Sequence, residues 1–329
     1  MTFQPSSKSV DQLNISSRIL GINISGMKTI AVYGDMNGLV YQRMQAETPV
    51  DQPFPEGFNT ICGMVDKLLK LCRAQGLDSP EVISLAVSGP VDLLKGTLMS
   101  PPDLPSWADA PFKGRLGVRY NLPVFIEHRS NASALAEMYF GAGVGVQNLL
   151  FLDLEPVVSA GIIIDRAVYH GGNDAAGDIG RMRMTPDGPA GLGTTGSLTG
   201  YTSGMGMAEL AHLRFPEKWP AVPKPYDLVQ AVHRGDADAI AVVAEAAHQL
   251  GKALLWLIFT LDPDMVVMGH PGDVLGETLL TPLRDSVLQH GGGEARQLPT
   301  LVVSKLGSKL DDTAALMAVI DAFKRRSSL

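Results

Sequence analysis

Residues 122–145, LPVFIEHRSNASALAEMYFGAGVG, are the stretch whose reading decides the fold. A short apolar run, LPVFI, ends at Glu127 and passes into a helix-like segment from about Asn131 to Gly141, which the Gly-rich GAGVG brings to a stop. The polar junction EHRSN between strand and helix is a place built to hold an acid, yet it carries Arg129.

The same strand-then-helix grammar extends in both directions. Upstream, RILGINIS and KTIAVYGD read as strands, and GDMNG turns through Asn37-Gly38 into LVYQRMQA, giving a three-strand meander. Phe58, Ile61, Cys62, Val65, Leu68, Leu69 and Cys72 form a helical stripe closed by Gly76. The β-branched VISLAVSG is a strand covered on both faces, and it runs into the turn SGPVD. Downstream, LLFLDL and AGIIID begin a second strand series. The Gly-, Ser- and Thr-rich residues 186–206 read as a long loop over a rigid body. Helices are expected at 226–233, 236–261 and 274–289, with the strand and turn of PDMVVMGHPG between the last two, where open α/β sheets bind ligands. The strand TLVVSKL and the helix DTAALMAVIDAF close the chain. The reading is an α/β protein with no tandem repeat. It has a flexible leader over 1–18, a first lobe over 19–128 and a second over 129–305, and a C-terminal helix of about 311–326 packs back on the first lobe.

Composition narrows the function. With 329 residues, 45% of them hydrophobic, the chain can bury the cores of two lobes. A net charge of −7 with dispersed Lys and Arg leaves no broad basic surface, so nucleic acid is not expected as a direct partner. Cys62 and Cys72 lie ten apart on one helical stripe, which suggests neither a CxxC pair nor a disulfide framework and fits a reducing cytoplasm. The polar first twenty residues and the shortness of the longest apolar run, ALLWLIF, argue against secretion and membrane insertion.

Six stretches, in order, resemble the ROK (repressor, open reading frame, kinase) family. They are GINISGMKT, AVSGPVD with SPPDLPSW, EHRSNASALAEMYFGAG, SAGIIID with AVYHGGNDAAGDIGRM, VVMGHPG and KLDDTAALMAVI. The resemblance covers nearly the whole chain after the leader. It implies a two-lobed hexokinase/actin-like (ribonuclease H-like) fold with a ligand cleft between the lobes, and an assembly of like subunits. It also implies ligand-binding positions at Ser88, Gly89, Asp103, His128, Arg129, Asp178 and Arg181, with weaker nucleotide-turn positions at Gly269 and Gly272.

The departures from that family are as informative as the matches. In DxGGTK, the family's first phosphate turn, Asn23 stands for the acid, Ser25 for the first glycine and Met27 for the threonine, which removes the charge that magnesium prefers. Residues 155–159, EPVVS, replace the second phosphate turn, GTGIG; Pro156 has no N–H to offer and Glu155 carries the wrong charge for phosphate. In the ENDAN pattern Glu127 and Asn131 persist, His128 replaces an asparagine, and Arg129 replaces the aspartate that serves as general base. A guanidinium cannot accept that proton. The family's zinc ligands align with Arg181, Ala190, Leu192 and Ser197, so no zinc is expected. The sugar-contacting Gly-Glu becomes Gly177-Asp178, and a later sugar-contacting glutamate becomes Thr199.

No residue is therefore assigned a catalytic role and no cofactor is expected. The reading is a sugar-kinase-like protein without phosphotransfer that binds a carbohydrate derivative or regulates a partner. One alternative is an active kinase using ATP and magnesium. Another is a regulator of this family without its winged helix, since the leader is too short for one. Arg129 and Arg181 replace an aspartate and a histidine, so the ligand expected is a sugar, with preference for a sugar acid or sugar phosphate. In the simplest reading the two arginines pair with Asp178 or Glu127. His170, His212, His233 and His248 read as surface or packing residues.

Overall fold

A computed structural model describes residues 13–270, 272–291 and 298–327. Residues 1–12 of the expected leader lie outside the described residues. Residues 13–17 form a turn with Leu13 buried, and Arg18 already begins the first strand.

In chain order the elements are β1 (Arg18–Ile24), β2 (Lys28–Asp35), β3 (Val40–Glu47), α1 (Phe54–Ala74), β4 (Val82–Val87), β5 (Val91–Asp92), β6 (Thr97–Leu98), α2 (Phe112–Tyr120), β7 (Val124–His128) and α3 (Arg129–Phe140). There follow β8 (Leu149–Asp153), β9 (Ser159–Ile164), β10 (Ala167–Val168), α4 (Leu198–Thr202), α5 (Gly204–Arg214), α6 (Pro225–His233), α7 (Ala237–Leu261), β11 (Met265–Met268), α8 (Gly272–Leu275), α9 (Glu277–Gly291) and β12 (Thr300–Val303). The chain ends with α10 (Leu310–Ala314) and α11 (Met317–Ser327).

Two compact units result. Among the described residues, the first takes 13–140, 170–176 and 308–327, and the second takes those within 141–169 and 177–307. Their sheets share one plan: the first has strand order β3-β2-β1-β4-β7 and the second β10-β9-β8-β11-β12. In each, an antiparallel meander is extended by parallel strands on one side. The fold therefore repeats where the sequence does not.

In the first unit, α1 buries its predicted stripe against the sheet. The helix starts at Phe54, ahead of that stripe, because the Phe54 ring packs edge-on against Phe112 and Trp107 and tilted against Phe58. Trp107 is fully buried, and its indole N–H donates to the Gln52 carbonyl at 2.9 Å. The short helix α2 is absent from the sequence reading; Gly114 and Gly117 weaken its propensity, and it buries only Phe112 and Leu116. Helix α3, expected to open the second lobe, belongs to the first unit. It packs on α10 and α11, with Arg129 against Asp311 and the Tyr139 hydroxyl donating to Asp321 at 3.0 Å.

In the second unit, the loop expected over 186–206 is corrected: α4 and the start of α5 lie within it, and residues 198–204 are buried. The small residues there serve close packing. A Cβ on Gly200 would collide with the Pro189 carbonyl and one on Gly206 with the Gly200 carbonyl. Ser197 and Ser203 cap the two helices by accepting from Gly200 N–H and Gly206 N–H, each at 3.1 Å. The segment ALLWLIF lies in α7, which is long and apolar enough to cross a membrane by length and composition alone. That apolar surface is instead mostly buried, packed on α4, α5, α6 and α9.

Candidate functional site

In the first unit, β1, β4 and β7 run parallel, with Ile24, Val87 and His128 aligned as neighbours at their C-terminal ends. Five predicted positions gather at this sheet edge. Ser88 follows β4, with its N–H on the Ile24 carbonyl at 2.9 Å. Gly89 leaves room for the His128 ring, which a Cβ there would strike. The His128 Nδ1 lies 2.7 Å from Ser130 Oγ. Asp103 reaches the turn after β1, where its Oδ2 accepts the Gly26 N–H at 2.8 Å; its buried Oδ1 has no protein partner.

The fifth position, Arg129, is buried at the first residue of α3, where the helix dipole disfavours a cation. Asp311, at the first turn of α10, offsets that cost, with its Oδ1 3.4 Å from Arg129 Nη1. Lys28 Nζ lies 2.7 Å from Asp311 Oδ2, and the Asn23 amide donates to the Asp311 carbonyl at 3.0 Å. Asn23 and Lys28, from the stretch between the end of β1 and the start of β2 that resembles the family's first phosphate turn, thus converge with Arg129 on a single acid. The Ser25 hydroxyl closes the same turn, accepting the Lys28 N–H at 3.2 Å.

Glu127 makes three hydrogen bonds. Its Oε1 accepts the His128 N–H at 2.8 Å and the Asn131 amide at 3.0 Å, and its Oε2 lies 2.8 Å from His170 Nε2. His170 therefore has a paired acid, contrary to its reading as a surface or packing residue. The acid is 43 positions away and reaches it only because residues 170–176 return to the first unit. The hydrogen bond to Glu127 holds the His170 pKa above its ordinary value against the opposing effect of burial. The Asn131 Oδ1 is buried without a protein partner.

In the second unit, Gly177 adopts φ +90° with its backbone tight against Ala160, leaving no room for a Cβ. Asp178 and Arg181 then meet across one turn, Nε to Oδ2 at 2.7 Å. The arginine pairing expected from sequence holds for Arg181 with Asp178, whereas Arg129 meets Asp311. Each guanidinium thus faces a carboxylate of its own unit, so the positive balance expected of these two positions is reduced. Gly269 and Gly272 follow β11; Gly269 is tight against the Phe151 ring, a packing reason for its presence.

At the positions that the resemblance assigns to magnesium and phosphate, the chain offers Asn23, Ser25, Met27 and the turn 155–159. The Glu155 carboxylate sits 2.9 Å from the Gly204 N–H at the start of α5, and Val158 N–H donates to Thr199 Oγ1 at 3.2 Å. The second phosphate turn is thereby tied to α4 and α5 by the protein's own groups. Arg181, Ala190, Leu192 and Ser197 offer no zinc-binding set. Among the described residues no three His, Cys, Asp or Glu side chains form a metal-holding group.

A carboxylate fastens the loop where the family's cysteines would lie: Glu209 Oε2 accepts the N–H groups of Ala190 and Gly191 at 3.0 and 2.9 Å. Hydrogen bonds to a charged acceptor contribute about 1.5–3 kcal/mol each. Glu209→Ala is expected to lower stability by about 2–3 kcal/mol and to speed proteolysis between residues 185 and 197, while EDTA leaves the melting midpoint of the unaltered protein in place. An unchanged midpoint in Glu209→Ala would show that the loop is held by its other contacts.

The two units, each an α/β sheet with the same strand plan, define the two-lobed actin-like class. A ROK family glucokinase from Streptomyces griseus, solved in complex with glucose and AMPPNP, shares this fold with a TM-score of 0.79 at 26% identity, covering 94% of this chain and 100% of that one. The chain belongs to the ROK family, whose model matches residues 19–320. A glucokinase of Halalkalibacterium halodurans is 34% identical over 190 residues, 54% of this chain and 58% of the glucokinase. A xylose repressor of Caldicellulosiruptor bescii is 27% identical over 248 residues, 72% of this chain and 61% of the repressor. The chain thus spans less than two thirds of the length of these two relatives.

Proposed function

We propose that this ROK-family protein binds a sugar or sugar derivative without transferring phosphate to it, and that it acts as a regulatory or binding protein. The observation that carries this reading is the cluster of Arg129, Lys28 and Asn23 on Asp311. The residues at the family's general-base and magnesium positions are a cation and an amide, both engaged with that acid. Glu127, the nearest carboxylate in sequence to Arg129, already holds His128, Asn131 and His170, so its use as a base would compete with those bonds. The xylose repressor relationship supports a regulatory role, and the glucose in the glucokinase structure supports a sugar ligand.

The buried acceptors Asp103 Oδ1 and Asn131 Oδ1, both without a protein partner, favour a ligand that brings hydroxyl donors. Binding of neutral sugars is therefore expected to match or exceed that of their uronates and 6-phosphates. A ligand selective for the folded state raises the melting midpoint by mass action, so a thermal-shift panel of sugars, uronates, sugar phosphates and Mg-ATP tests this directly. The expected outcome is a shift with at least one neutral sugar and none with Mg-ATP at millimolar concentration, together with no sugar phosphorylation in a coupled assay. A shift confined to the anionic derivatives would move the ligand class to sugar acids or phosphates. Turnover above a no-enzyme blank that is lost in Asn23→Ala would establish an active kinase and end the proposal.

A further inference from the structure

The chain leaves the first unit after Phe140, returns to it for only seven residues, His170–Ala176, and leaves again at Gly177. Nothing apolar anchors this return, since none of the residues 170–176 is buried. Gly171 and Asp174 both take positive φ, +76° and +53°, which glycine adopts freely and aspartate tolerates. Polar contacts hold it instead. His170 Nε2 meets Glu127 Oε2 at 2.8 Å, Asp174 Oδ2 accepts the Leu93 N–H at 3.0 Å, and the Ala176 N–H closes the segment on the His170 carbonyl at 3.1 Å. A segment held by so few contacts opens locally at a free-energy cost set by those contacts alone.

We propose that His170–Ala176 is a pH-responsive strap, docked on the first unit while His170 is protonated and loosened when His170 is neutral. The bond to Glu127 is then charge-assisted on both sides in one state and on one side only in the other. The groups that act on the His170 ring come from three elements. Glu127 at the end of β7 and Asp174 on the strap favour the imidazolium, and Arg325 on α11 disfavours it. Arg325 is itself paired with Asp321 at 2.7 Å, which draws part of its charge away from the ring.

The sign follows from the raised pKa of His170. The fastening is fully present below the ordinary histidine value of about 6.5, and it is lost as pH rises through the higher folded value. The strap also has a route to the candidate ligand residues. Glu127, which His170 holds by one oxygen, uses the other to hold the His128 N–H and Asn131. Past the strap's other end the next two residues are Gly177 and Asp178. Raising the pH would loosen the hold on Glu127, whereas Gly177 and Asp178 keep their own contacts to Ala160 and Arg181.

Hydrogen exchange of the unliganded protein tests the strap without reference to any ligand or to phosphotransfer, so its failure would leave the functional proposal standing. After correction for intrinsic rates, protection of the peptide spanning 170–176 is expected to be about tenfold higher at pH 5.5 than at pH 8.5, equivalent to about 1.4 kcal/mol. Peptides from β4 should not change. In His170→Gln the strap should show the lower protection at both pH values. Titration of the His170 ring followed by NMR should give a midpoint above the ordinary histidine value. Equal protection at the two pH values in the unaltered protein, the same pH dependence in His170→Gln, or an ordinary His170 midpoint would each overturn the proposal.

Discussion

Replacing Asp311 by alanine is expected to destabilise the protein by about 3–5 kcal/mol, the range for removing one partner of a buried ion pair. The side chain of Asp311 is 9% exposed and that of Arg129 10%, so water does little to replace the lost contact. Lys28, 36% exposed, can turn outward to solvent, but Arg129 is fixed at the start of α3 and would be left against the helix dipole without this acid. Urea unfolding at neutral pH measures the loss as a fall in midpoint with little change in slope. Asp311→Asn should fall between the two, because it keeps hydrogen-bonding capacity and loses only the charge. The double variant Arg129→Met/Asp311→Leu should recover a large part of the stability, since two apolar side chains bury without the desolvation penalty of an ion pair. A loss below about 1 kcal/mol for Asp311→Ala would mean that the pair behaves as a solvated surface contact.

The sequence announced the strands and helices around this cluster and hid the cluster itself. Periodicity and turn residues were sufficient for β1, β2, β3, β4 and β7, because each strand's burial follows from its own residues. They failed at α4 and α5, where Gly200 and Gly206 look like loop residues but allow helix and backbone to touch. Arg129 stood out by its place in the EHRSN junction, yet Asp311 lies 182 positions away and no local pattern links the two. The same holds for Glu127 with His170, for Glu155 with Gly204, and for Glu209 with the 190–191 backbone. In each case a polar group at a family ligand position, or beside it, is satisfied by a group that only the fold brings near. Residue types at aligned positions indicate where the chain departs from the family's pattern. Which groups satisfy the residues there is a property of the packed structure.

Arg129→Asp, which restores the family's general-base residue, is expected to yield no sugar phosphorylation above a no-enzyme blank, although a positioned base contributes on the order of 10²–10⁴-fold in rate. The substitution replaces a cation facing Asp311 with a second carboxylate beside it in a buried setting. Two carboxylates sharing such a site repel each other, so the substitution costs stability without supplying the magnesium and phosphate contacts that the turns lack. The remaining phosphate machinery is unchanged: Asn23 still offers an amide where magnesium prefers an acid, and Glu155 still occupies the Gly204 N–H. The variant should therefore lose stability, through the lost Arg129–Asp311 attraction and the added repulsion, while gaining no turnover. A coupled assay run with a panel of neutral sugars and Mg-ATP, beside a urea titration of the same sample, separates an inactive folded variant from an unfolded one. Measurable phosphorylation by Arg129→Asp would show that residue 129 alone had silenced a nucleotide site that still works. In that case the occupation of the phosphate turns by Asp311 and Glu155 could not be the reason for a loss of activity.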